Sequence, residues 1–213
     1  MAIMEFLKKH RDYILIALLI AAVTGGNYVL SGGAKSNWVE FSDYGFTMLH
    51  PAGVNVWITG LDEENVFDPN GDIHATINKG MIGFNEENKE FAVTWVTFNG
   101  EPSLDEVLEV YYHSGEVNAI RRDRGFQIEM GDTTSGNINA HDALYQSNLI
   151  ELDMPELDEP LYGKGIAVAW TCDETEVSYV AYLLIWNIGS VPAQSDAQVR
   201  DSLHWYLDTL KCH

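Results

Sequence analysis

Five consecutive residues, Asp68-Pro69-Asn70-Gly71-Asp72, set oxygen-bearing side chains at alternate positions around a glycine turn. Hard divalent cations such as Ca²⁺ take such carboxylate and amide oxygens, and Asp62, Glu63 and Glu64 stand nearby in the chain. The run lacks the EF-hand spacing with its closing glutamate, and Pro-Asn-Gly is a good turn in its own right. Asp68, Asn70 and Asp72 are therefore candidate Ca²⁺ ligands, with a plain solvated turn as the alternative.

The two cysteines, Cys172 and Cys212, offer different chemistry. Neither has a histidine or acid at a spacing that marks a cysteine enzyme. Outside the cytoplasm an even pair most simply forms a disulfide. It would close a loop of about 40 residues, worth about 3–4 kcal/mol on the chain-entropy model. Free thiols are the alternative. Cys172, Cys212 and His213 can also be drawn as three metal ligands, although structural zinc sites usually present two close ligand pairs. His50, His74, His113, His141 and His204 show no paired spacing within one element. No Gly-x-Ser-x-Gly elbow occurs, and no glycine-rich phosphate loop follows a strand. Trp95, Trp170, Trp186, Trp205, Tyr179 and Tyr182 fall at sheet and helix spacing and read as core. The alternative for them is an aromatic ligand groove between sheet and terminal helix. The chain is expected not to be an enzyme and to need no cofactor, Ca²⁺ being the one candidate.

What must position these residues begins with a membrane segment. Residues 13–34 carry no charge, and Lys8, Lys9 and Arg11 precede them. As a helix that stretch is about 33 Å long, enough for one crossing of a hydrocarbon core of about 30 Å. The basic side favours the cytoplasm. The division expected is a short cytoplasmic segment at 1–12, an anchor and linker at 13–34 and an extracytoplasmic domain at 35–213. A cleaved secretory signal followed by secretion is the alternative, since Ser31, Gly32, Gly33 and Ala34 suit a cleavage site.

The domain is large enough to bury a core without metal or disulfide. The whole chain has 12 basic and 32 acidic side chains, a formal net charge of −20. Residues 1–12 hold three basic and two acidic ones, so the remainder carries nine against thirty. Such a surface does not neutralise phosphates, which excludes nucleic acid as a partner, and anionic lipid heads repel it. The expected partners are the membrane, through the N-terminal helix, and a protein.

Alternation and turn residues predict strands at 38–42, 46–50, 54–59, 74–84, 90–98, 126–130, 143–153, 164–172 and 177–187. Gly80 and Gly83 predict a bulge in the fourth of these, and residues 62–72 read as an acidic loop. Ser103 with Glu106 and Ser195 with Gln198 are capping boxes. They open helices whose apolar faces are Leu104, Val107, Leu108, Tyr111 and Tyr112 in one, and Val199, Leu203, Tyr206, Leu207 and Leu210 in the other. The stretch 177–186 is apolar on both faces, as in a central strand covered on both sides. Cys212 lies just past the last helix, within reach of Cys172 at the end of its strand. Hairpin-joined strands with two inserted helices make the fold class α+β: an antiparallel β-sheet with helices on its faces.

This order resembles the PsbP-like family. The carrying residues are Phe41-Ser42-Asp43-Tyr44-Gly45-Phe46 leading to Pro51-Ala52-Gly53, and the later turn Asn139-Ala140-His141-Asp142-Ala143. Val54 stands where the family usually has a tryptophan. Trp170-Thr171-Cys172 with Cys212-His213 also looks like membrane-anchored archaeal envelope proteins of unassigned function. The resemblance implies an α/β/α sandwich and a non-catalytic accessory or assembly role beside a membrane complex. A related eukaryotic domain binds a small GTPase. An extracytoplasmic small-ligand or Ca²⁺-binding sensor domain is the alternative function.

Overall fold

The computed structural model describes residues 37–43, 45–59, 63–98, 100–113, 127–153 and 157–212. The segment 13–34 and His213 lie outside them. Among the described residues no helix is long and apolar enough to cross a membrane.

Eleven strands and two helices make up the described chain: β1 (Trp38–Asp43), β2 (Phe46–Pro51), β3 (Val56–Thr59), β4 (Glu63–Phe67), β5 (Ile73–Glu86), β6 (Lys89–Phe98), α1 (Leu104–His113), β7 (Gln127–Ile138), β8 (His141–Leu152), β9 (Leu161–Thr171), β10 (Ser178–Ile188), α2 (Asp196–Leu207) and β11 (Lys211–Cys212). The main sheet runs β3-β5-β6-β10-β9-β8-β7, and β4 shares the outer edge of β5 with β3. A small sheet, β1-β2-β11, joins the N-terminal hairpin to the chain's C-terminal end. Every pairing is antiparallel.

Strand β10 explains the layering. It lies between β6 and β9, and successive side chains point to opposite faces. Tyr179, Ala181, Leu183 and Ile185 pack into one core with Val199, Leu203, Tyr206 and Leu207 of α2. Val180 faces the other way and packs with Val107, Leu108 and Tyr112 of α1. Leu184 and Trp186 extend that face into a third cluster with Ile150, Leu152 and Leu161. The helices thus cover opposite faces of one antiparallel sheet, and the all-apolar reading of this strand holds.

Both capping boxes close reciprocally. The Ser103 amide donates to Glu106 Oε2 (2.7 Å), and the Glu106 amide returns a bond to Ser103 Oγ (3.3 Å). The Ser195 amide donates to Gln198 Oε1 (2.9 Å), and the Gln198 amide to Ser195 Oγ (3.3 Å). Each pair satisfies donors that a helix start leaves unbonded. The bulge expected near Gly80 appears as a register shift between Asn78 and Met81 against β6.

Two expectations need correction, and one short strand was not anticipated. The acidic loop at 62–72 contains β4, which pairs with the first half of β5. Its Glu-Glu-Asn opening hides the strand because an edge strand needs little apolar surface. The short strand expected at 126–130 continues to Ile138, through a stretch exposed at nearly every position. Such a polar edge shows no inward-outward alternation to read. Strand β11 is only two residues long, below what a periodic pattern can signal.

Candidate functional site

Three chemistry-bearing side chains gather at one corner, where β8 begins, β9 ends and β11 returns to the small sheet. Cys172 directly follows β9 and is fully buried. A tight turn fixes it: its amide donates to the Val177 carbonyl (2.9 Å), and the Glu176 amide donates to its own carbonyl (2.9 Å). After α2, Leu210 is buried, and β11 pairs with β2 through Lys211 opposite Thr47 and Cys212 opposite Phe46. This brings Cys212 onto Cys172 in a disulfide, with the Cα atoms 6.2 Å apart.

A third residue joins the pair. The β7–β8 turn passes through Asn139 at φ +53°, a conformation asparagine tolerates well. The Asn139 side-chain amide donates to the Leu210 carbonyl (2.6 Å), tying this turn to the chain just before Cys212. His141 follows, its Nε2 lying 3.5 Å from Cys212 Sγ and its Nδ1 3.6 Å from Asp173 Oδ2. The donor atoms of His141, Cys172 and Cys212 all lie within 4.8 Å of one another. The sequence pointed to His213 as the third member of such a set, and His213 lies outside the described residues. Nothing in the spacing of positions 141, 172 and 212 marks His141, because three separate strand ends bring these residues together.

The candidate cation residues also meet, about Asp68. Its Oδ1 accepts from the Asn70 amide (2.8 Å) and the Asp72 amide (2.9 Å), and its Oδ2 accepts from Asn70 Nδ2 (3.1 Å). The Asp72 amide bond is the foremost reason the Asp68 carboxyl sits below its ordinary pKa. These bonds are those of an Asx turn, in which the carboxylate serves the turn's own amides.

On either side of that turn stand two large apolar side chains, Phe67 (59 % exposed) and Ile73 (41 % exposed). They are register partners across β4 and β5, so the two share one face of the hairpin tip.

The remaining polar groups work within the core. Glu90 is partly covered as a residue, but desolvation of its carboxylate pushes the pKa up, against the hydrogen bonds it accepts from the Tyr182 hydroxyl (2.8 Å) and Trp186 Nε1 (3.3 Å). The Tyr145 hydroxyl meets the Asn137 carbonyl and His204 Nε2, each at 2.9 Å, and the Arg200 guanidinium lies 3.7 Å over the Tyr145 ring. Burial, then the Arg200 charge, hold His204 below its usual pKa. Among the described residues no serine hydroxyl is hydrogen-bonded to a histidine. Ser202 Oγ instead donates back to the Gln198 carbonyl of its own helix (3.0 Å). The aromatic groove considered between sheet and α2 is filled by rings packed at tilted and edge-on angles, Phe84, Phe91 and Tyr206 among them. Beside them an open depression of about 260 Å³ is lined by Lys89, Asp201, Ser202, Trp205 and Tyr206.

No family model and no curated protein matches the sequence. Among solved structures the chain is similar to cyanobacterial PsbP (CyanoP) from Synechocystis sp. PCC 6803, at 12 % identity and a TM-score of 0.49, covering 89 % of this chain and 100 % of that one. It is also similar to a protein of unknown function from Pseudomonas aeruginosa described as a putative regulator, at 8 % identity and a TM-score of 0.31, covering 74 % of this chain and 85 % of that one. At such identities and scores neither assigns this chain a function.

Proposed function

We propose that this chain is a single-pass, membrane-anchored, non-catalytic docking domain that faces the cell exterior and seats on a protein of an envelope complex. The exposed Phe67–Ile73 pair carries this reading. It places apolar surface at the tip of a hairpin in an otherwise strongly acidic domain. Apolar side chains ringed by charge are what a docking face needs: the former supply affinity, the latter orientation and specificity. A net charge of −20 asks for a partner surface rich in lysine and arginine. The basic cluster before the uncharged segment 13–34 supports the anchor and its orientation. The disulfide supports an oxidising compartment for the domain.

The test is extraction in mild detergent followed by size analysis. The native chain is expected in a complex larger than itself, and Phe67→Ser with Ile73→Ser is expected to release it while leaving its circular dichroism unchanged. A native chain that runs alone, or a double variant that stays in the complex, overturns the reading.

A further inference from the structure

We propose that reduction of Cys172–Cys212 converts this corner into a binding site for one borderline-soft divalent cation of the Zn²⁺ class, held by both sulfurs and His141 Nε2. The spacing carries it. Zinc bonds of about 2.3 Å to sulfur and about 2.0–2.1 Å to nitrogen make the nitrogen-to-sulfur edge of a tetrahedron about 3.5 Å. His141 Nε2 already lies 3.5 Å from Cys212 Sγ. The two sulfurs have to part, to about 3.8 Å for the same tetrahedron, and all three ligand atoms already lie within 4.8 Å of one another.

The imidazole is oriented for the task. Its Nδ1 is buried without a hydrogen-bond partner, yet Asp173 Oδ2 lies 3.6 Å away. That is too long for a hydrogen bond, but the Asp173 side chain is 88 % exposed and has room to close in. A proton on Nδ1 facing that carboxylate leaves the Nε2 lone pair directed at sulfur, which is the carboxylate–histidine–metal order of zinc sites. The fourth position is left to water.

The corner does not rely on the disulfide alone. The Asn139–Leu210 bond, the turn at Cys172–Val177 and the β2–β11 pairing hold the three residues where they are. The conversion balances. A dithiol donates two electrons and two protons, becoming a disulfide itself while Cys172 and Cys212 become thiols. The cation then displaces both thiol protons to solvent.

The test uses the full chain in mild detergent, reduced with dithiothreitol, desalted without air and titrated with Co²⁺ as the spectroscopic stand-in. The expected result is one Co²⁺ per reduced chain with a thiolate-to-cobalt charge-transfer band and tetrahedral d–d absorption, displaced by Zn²⁺ and absent from the oxidised chain. His141→Gln is expected to weaken Co²⁺ binding by at least about tenfold, since even outer-shell partners act on that scale. Three results overturn the proposal: no cobalt–thiolate band from the reduced chain, equal binding by the oxidised chain, or full affinity in His141→Gln. If reduction alone unfolds the chain, Zn²⁺ must restore its native circular dichroism, because binding then drives folding; failure to do so overturns the proposal as well.

Discussion

Opening the Cys172–Cys212 disulfide gives the most quantitative forecast. The two residues are 40 apart in sequence. Closing a loop of that length removes denatured-state entropy worth about 4 kcal/mol at 25 °C on the chain-entropy model. In the folded state little else is lost locally. Strand β11 contributes just two register pairs, and Leu210 stays buried beside Val199, Leu203 and Leu207. The loss falls within the usual stability of a domain, so the reduced protein stays folded at room temperature. For a domain of this size each kcal/mol moves Tm by about 2–4 °C, so reduction lowers Tm by about 8–16 °C. The assay is thermal melting followed by near-ultraviolet circular dichroism, oxidised and reduced, with thiol alkylation confirming the state of each sample. The denaturant m value is expected to rise on reduction, because an uncrosslinked denatured chain exposes more surface. Equal Tm values with both thiols shown free would refute the loop-entropy reasoning.

Three further expectations concern the core. Gly83 sits opposite Trp57 and Ala92, where an added Cβ would lie 2.6 Å from the Phe91 carbonyl oxygen; Gly83→Ala should cost about 1–3 kcal/mol in urea melts. The buried Asn148 Nδ2 donates to the Tyr112 hydroxyl at 3.0 Å, so Tyr112→Phe leaves that donor without its partner, a loss of about 1–3 kcal/mol by the same measurement. Glu90 has a folded pKa above its unfolded one, so its contribution is fully present below the unfolded pKa and is lost as pH rises through the folded pKa. Stability measured from acid toward neutral pH should therefore carry a declining component that Glu90→Gln removes; an identical pH slope in the variant would contradict the assignment.

Much of the architecture was legible because burial writes a period into the chain. The two-sided apolar run of β10 and the helix faces after Ser103 and Ser195 each meet a covering layer, so their patterns survive. Edge strands escape this logic. Strand β4 lies on the sheet's edge and the second half of β7 faces solvent, where polar residues are free to occupy nearly any position. The disulfide was legible from the even count of two cysteines. His141 was not, because three strand ends distant in sequence converge on it, and no local spacing records a tertiary meeting. The Asp68 turn shows the converse: the run forms a turn, while the carboxylate's partners, the amides of Asn70 and Asp72, are backbone groups that no side-chain motif announces.

The docking claim is tested most directly by placing a photo-crosslinking amino acid at Ile73 in the living cell, with exposed Thr134 on the β7 edge as the control position. The account expects one discrete membrane-associated adduct from position 73, lost when Phe67→Ser is added, and none from position 134. No adduct from position 73, or the same adducts from both positions, would contradict it.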